Sequence, residues 1–119
     1  MARKDDLGRT GEQLAVEHLS AAGYTIVDRN WRCSLGEIDI VARRGDTTVV
    51  VEVKTRSGVG FGHPLEAVTP RKLARLRRLS AAWCESQARS SVPRSLRIDV
   101  IGVVVAHDGI TIDHVQQAC

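Results

Sequence analysis

Aromatic side chains are scarce. Tyr24, Trp31, Phe61 and Trp83 are the four aromatics among 119 residues. That is too few for a surface that reads single strands by stacking several bases. Cysteine is sparse as well: Cys33, Cys84 and Cys119 are widely spaced, and no Cys-x-x-Cys occurs. An odd, scattered set argues against a disulfide framework and a thiolate zinc site, and it fits a reducing, cytoplasmic setting. Long apolar runs are missing. A membrane span needs about 18 consecutive apolar residues, and the longest stretch here is a short one around Val103-Val104-Val105, so no membrane contact is expected. The first residues, Met1-Ala2-Arg3-Lys4-Asp5-Asp6, carry no apolar segment behind their basic pair, so no secretory signal is expected. The charge excess is small. Lys plus Arg number 17 and Asp plus Glu 14, a net of +3, which permits a polyanionic partner without requiring one.

What is present fits one α/β domain over residues 1–119, with 1–6 and 116–119 as frayed tails. An apolar fraction of 43% supplies a core, and a charged fraction of 26% excludes wholesale disorder. Leu7, Gly11, Leu14, Ala15, Leu19 and Ala22 follow helical spacing and predict a helix over 8–22, capped by Gly23. Strands are expected over 24–31, 36–43 and 47–55, the last Val-rich. Residues 57–64 form a glycine-rich loop that lacks Gly-Lys-Ser/Thr and does not open onto a helix. It reads as a flexible connection, with phosphate approach to its amides as the alternative. Thr69 before Pro70 marks a helix start. That helix is expected to run to about Ala88, with Leu73, Leu76, Leu79 and Trp83 inward. After a connector at 90–95, strands near 97–105 and 110–115 close the chain, joined at Asp108-Gly109. The order αβββαββ implies a sandwich: a mixed β-sheet flanked by helices.

Four polar residues stand where apolar ones would be easier. Glu12 shares a helix face with Ala15, Val16 and Leu19. Asp39 lies inside Ile38-Asp39-Ile40-Val41. Glu52 and Lys54 alternate with Val51 and Val53 and so share one strand face. If Gly45-Asp46 is a two-residue hairpin loop, Arg44 pairs with Thr47, Asp39 comes opposite Glu52, and Glu37 opposite Lys54. Two carboxylates that close repel unless neutralised. Mg²⁺, with Mn²⁺ as a substitute, suits such a site because it takes few carboxylates, keeps waters and expects phosphate oxygens. Lys54 beside it would orient or deprotonate a water, or stabilise charge on a phosphate. The reaction class such a site implies is metal-assisted phosphodiester hydrolysis.

The motifs Gly8-x-x-Gly11-Glu12, Gly36-Glu37-Ile38-Asp39-Ile40-Val41-Ala42, Val51-Glu52-Val53-Lys54, Phe61-Gly62 and Arg97-Ile98-Asp99-Val100 resemble the YraN-like family of bacterial proteins. They are also similar to the PD-(D/E)xK nuclease superfamily, with its restriction-endonuclease-like fold, and within it to archaeal-type Holliday-junction resolvases. Ile38 stands where the superfamily has Pro. The likeness covers nearly all of residues 8–115. It implies Glu12, Asp39 and Glu52 as metal ligands, Lys54 as the catalytic lysine, and a DNA endonuclease acting on branched or recombination intermediates. One active site cuts one strand, so symmetric junction cleavage would require a homodimer.

Other readings stand beside these. Asp39, Glu52 and Lys54 could form an ion cluster on a solvated face, and Glu12 a first-turn acid favoured by the helix dipole. Glu37 either supports Lys54 or is solvated; support is the reading adopted. Arg71, Arg75 and Arg78 make a ridge on the second helix, and Arg71, Lys72, Arg75 and Arg56 are the phosphate-binding candidates, with a solvated helix face as the alternative. His63 borders the suspected site, while His18, His107 and His114 show no ligand spacing. Asp99 is expected to cap or pair locally. The functional alternatives are a nucleic-acid-binding module of nuclease fold without its own activity, and a protein-interaction scaffold. DNA is favoured over RNA as the partner.

Overall fold

The computed structural model describes residues 3–58, 62–88 and 95–116. Helix α1 (Arg3–Ala21) is followed by β1 (Thr25–Cys33), β2 (Gly36–Arg44) and β3 (Thr47–Arg56). A 3₁₀ turn (Pro64–Ala67) leads into α2 (Pro70–Glu85), and β4 (Ser95–Ala106) and β5 (Gly109–Val115) complete the chain. The five strands form one mixed sheet in the order β1-β2-β3-β4-β5. β3 and β4 run parallel through the α2 crossover, and the other neighbours are antiparallel. The αβββαββ sandwich read from the sequence is the fold observed.

Strand alternation feeds two cores. On the α1 face, Ala15 and Leu19 pack with Ile40, Ala42, Val49, Val51, Val53, Ile101 and Val103. On the α2 face, Leu76, Leu79 and Trp83 pack with Ile38, Val41, Val50 and Ile98, and Leu73 lies against them. Gly11 lets α1 approach β3: a Cβ there would sit 2.8 Å from Thr55 Cβ. The α1 C-terminus closes as a Schellman motif. Tyr24 N–H donates to Leu19 C=O and Gly23 N–H to Ser20 C=O, with Gly23 at φ 92°.

Several boundaries differ from expectation. α1 begins at Arg3 rather than residue 8, so 3–6 belong to the helix; an acid such as Asp6 near its start favours the positive end of the dipole. Residues 1–2 and 117–119 of the expected tails lie outside the described residues. Ala22 falls beyond the helix and is exposed. α2 stops at Glu85, not Ala88, because Ser86 turns back on it. Ser86 N–H donates to Ala82 C=O and its hydroxyl to Trp83 C=O at 2.6 Å. Part of the loop at 57–64 closes into the 3₁₀ turn, where His63 Nδ1 accepts from Leu65 N–H at 3.2 Å; 59–61 lie outside the described residues, as do 90–94 of the connector, whose Ser95 already belongs to β4. The β4–β5 turn residues are His107-Asp108, with Gly109 already paired to Ala106. Among the described residues no helix is long and apolar enough to cross a membrane.

Candidate functional site

The β2–β3 hairpin places the acids. Its register is the one the Gly45-Asp46 loop dictates: Arg44↔Thr47 through Ile40↔Val51. The ladder stops there, one rung short of Asp39 and Glu52. Ile38 packs with Val41 on the α2 face, so alternation does not continue through Asp39. In place of a backbone rung, Asp39 Oδ2 accepts the Val53 N–H at 2.8 Å. The divergence also undoes the expected opposition of Glu37 and Lys54. Glu37 pairs with Arg32 across β1, and its carboxylate accepts from Arg32 Nε.

Asp39, Glu52 and Lys54 meet in a cleft of about 240 Å³ with Glu37, Lys72 and Arg75, over Leu76 and Leu79. Glu52 Oε2 lies 3.4 Å from Lys54 Nζ and 4.0 Å from Lys72 Nζ. Arg75 reaches back over β2: a Cβ on Gly36 would be 2.7 Å from its Nη2. Burial, then the neighbouring Glu52 charge, push the Asp39 carboxyl up from 3.8 to about 7. Lys72 is lowered by its contact with Lys54 and by burial.

Glu12 is raised by burial and by Glu37, against a hydrogen bond from the Asn30 side chain. It lines two further clefts. One, of about 470 Å³, also holds Leu7, Gly8, Lys54, Thr55 and Arg56. The other, of about 780 Å³, lies between α1 and β1 and holds Arg9, Gln13, Arg29, Asn30, Arg32 and Glu37. Gly8, Glu12, Glu37 and Lys54 each line two of the three openings. Arg71 is exposed and lines none of these three. His63 is engaged elsewhere, 2.7 Å from Asp113 on β5. Among the described residues no three His, Cys, Asp or Glu side chains are placed to hold a metal ion as a ready cage.

Sequence reasoning passed over Arg29, Asn30 and Arg32, and it took Lys72 only as a phosphate contact. One signal was available. Asn is poor in strands and enriched at positive φ, and Asn30, inside β1, has φ 53°. Asp99 pairs locally with Arg97, as expected, but also reaches β5, and it is fully buried. It accepts from Arg97 Nε at 2.9 Å and Nη2 at 3.0 Å, and lies 2.7 Å from His114 Nε2. His114 Nδ1 in turn lies 3.1 Å from His18 Nε2. This network ties α1, β4 and β5 on the sheet face opposite α2.

The profile of "Uncharacterised protein family UPF0102" matches residues 11–103. A UPF0102 protein of Clavibacter michiganensis is 52% identical over all of both chains. One from Leifsonia xyli is 57% identical over 89% of this chain and 88% of its own. One from Pseudarthrobacter chlorophenolicus is 58% identical over 87% of this chain and 77% of its own. With the profile matched over residues 11–103 and identity above one half across most of its length, this chain belongs to the UPF0102 family.

Proposed function

We propose that this chain is a metal-dependent nuclease that hydrolyses phosphodiester bonds, with DNA, including branched intermediates, as the favoured substrate. The observation that carries the reading is the Asp39–Glu52 pair. Two carboxylates are held side by side in a half-buried cleft, at a pKa cost that a bound cation would reverse. The donors fit Mg²⁺: all are oxygens, and Mg²⁺ is commonly bound by one or two carboxylates with waters filling the remaining positions. Asp39 and Glu52 would hold it, with Glu12 reaching it from the neighbouring cleft. When bound, the ion supplies Lewis acidity toward a phosphoryl oxygen and a more acidic water.

The chain's own groups do the rest. Val53 N–H fixes the Asp39 carboxylate. Glu52 holds the Lys54 ammonium at the cleft, where its remaining donors would orient a water or bind a non-bridging phosphate oxygen. Lys72 and Arg75 add positive charge on the α2 side and would hold the scissile phosphate. The free thiols of Cys33 and Cys84 suit a cytoplasmic setting. A single set of acids serves one strand, so paired cuts in a junction call for two copies of the chain.

The test is cleavage of labelled single strand, duplex, flap and four-way junction in Mg²⁺, Mn²⁺ or EDTA. Lys54→Ala and Asp39→Asn should each lower the rate by at least about a hundredfold. A second reading, a nucleic-acid-binding module without cleavage, draws on the Lys54–Glu52 ion pair, in which the lysine already neutralises one of the carboxylates without a metal. Binding with no cutting in either metal would establish it instead.

A further inference from the structure

We propose that the cleft between α1 and β1 is a second phosphate-binding subsite, holding the backbone of the substrate strand on the side of the acids opposite α2. The inference rests on the nuclease reading only for where the scissile bond lies. The cleft is the largest of the three described above, at about 780 Å³. Three arginines line it, Arg9, Arg29 and Arg32, against two carboxylates on its wall toward the acids, Glu12 and Glu37, and no aromatic does. Such a lining grips phosphates rather than stacks bases.

Two of the guanidiniums are already oriented. Arg29 Nη1 donates to Gln13 Oε1 at 3.3 Å, and Arg32 donates through Nε to Glu37. A guanidinium has five N–H donors in a planar fork, so each can still take a phosphate through its outer nitrogens. The Arg32 side chain is 79% exposed and open to such a ligand. The wall facing the acids is set by Asn30, whose left-handed backbone is a strained conformation of the kind that collects at functional sites. Its side chain acts as a hydrogen-bond partner of Glu12, and both line the cleft, so the cleft and the acids share a wall.

The consequence is a path. Arg29 and Arg32 share one cleft with Glu37, and Lys72 and Arg75 share the next with Glu37, Asp39 and Glu52. A strand held by both runs past the acids in both directions. The bond presented is then internal, which is the geometry of endonucleolytic rather than end-dependent cutting.

The experiment is fluorescence anisotropy of labelled single-stranded and duplex DNA across a KCl series. It is run with the intact chain in EDTA and with Lys54→Ala in Mg²⁺, the two conditions in which the nuclease reading expects no cutting. Arg29→Ala/Arg32→Ala should weaken binding and flatten the slope of log K against log salt by about 1.4 for single strand and about 1.8 for duplex, two phosphate contacts' worth. Arg29→Lys/Arg32→Lys should regain most of the slope, which a folding defect would not. Arg43→Ala, an exposed charge on the β2–β3 hairpin, should change little. An unchanged slope in the double Ala variant overturns the subsite, as does an equal per-residue loss in Arg43→Ala, which would mean net charge alone. Cleavage is read separately. A chain that binds through Arg29 and Arg32 but cuts nothing refutes the nuclease and keeps the subsite. A chain that cuts, with slope and KM untouched in the double variant, does the reverse. A chain that binds no DNA in either background overturns both.

Discussion

Replacing Asp39 by Asn should make the metal-free protein more stable at neutral and alkaline pH. In the folded chain the Asp39 carboxyl holds its proton up to about pH 7, against 3.8 for the free side chain. Between those values the unfolded chain releases the proton and the folded chain keeps it. The folded state therefore binds more protons, and stability falls as pH rises through the window. About three pK units at about 1.4 kcal/mol each set a ceiling of about 4 kcal/mol, part of which belongs to Glu52 because the two titrate together. Against a domain stability of about 5–15 kcal/mol this is a large effect. The amide of the substituted side chain keeps an oxygen for the Val53 N–H, so the strand divergence is preserved. Urea unfolding in EDTA, wild type beside Asp39→Asn, should show a gap in favour of the variant that widens from pH 4 to 7 and then levels off. Comparing the two at each pH cancels the other titrating groups. Mg²⁺ should then stabilise the wild type, by about 2.7 kcal/mol at a hundred times Kd, and leave the variant nearly unmoved. A variant less stable than wild type at pH 8 in EDTA would refute the argument that the acids repel at a site built to be neutralised.

Other predictions are simpler. Gly11→Ala gains about 1 kcal/mol of helix propensity yet should lower the melting temperature, because the new Cβ would meet Thr55 at an overpacking cost of about 1–3 kcal/mol. Trp83→Ala empties a fully buried site and removes the indole bond to Asp28 Oδ2; denaturant unfolding should register a loss of about 3–5 kcal/mol. His18 is lowered from 6.5 by burial and by His114, so the unfolded chain takes up that proton first as pH falls. Stability should therefore drop below about pH 6.5, and His18→Gln should lessen the fall in melting temperature between pH 7 and pH 5.

Local chemistry was legible and distant pairing was not. Thr69-Pro70 marks the start of α2, and Thr69 Oγ1 accepts from Lys72 N–H at 3.2 Å as an N-cap should. Gly45-Asp46 set the hairpin register and so brought Asp39 near Glu52. It could not reveal that the ladder ends at Ile40↔Val51, since strand divergence depends on what packs above and below. Hence Glu37 was assigned to Lys54 when Arg32, five residues before it, is its partner. Lys72 reaches Lys54 only because α2 is laid over β2 and β3, a placement that helical periodicity does not encode. Asn30 was legible in kind but not in role: its type hints at positive φ, while its bond to Glu12 joins two elements far apart in the chain.

The parallel pairing of β3 with β4 has a kinetic consequence. The β2–β3 hairpin closes over two residues and can form early, in the microsecond range for such turns. Thr47 meets Ser95 only after α2 and both of its connections have been bridged, a loop whose closure entropy must be met before the pairing rewards it. The hairpin that carries Asp39 and Glu52 is therefore expected to exist before the sheet is complete. During that interval its β3 edge is open to any other extended chain, and the pairing of β4 along it is the step that ends the exposure.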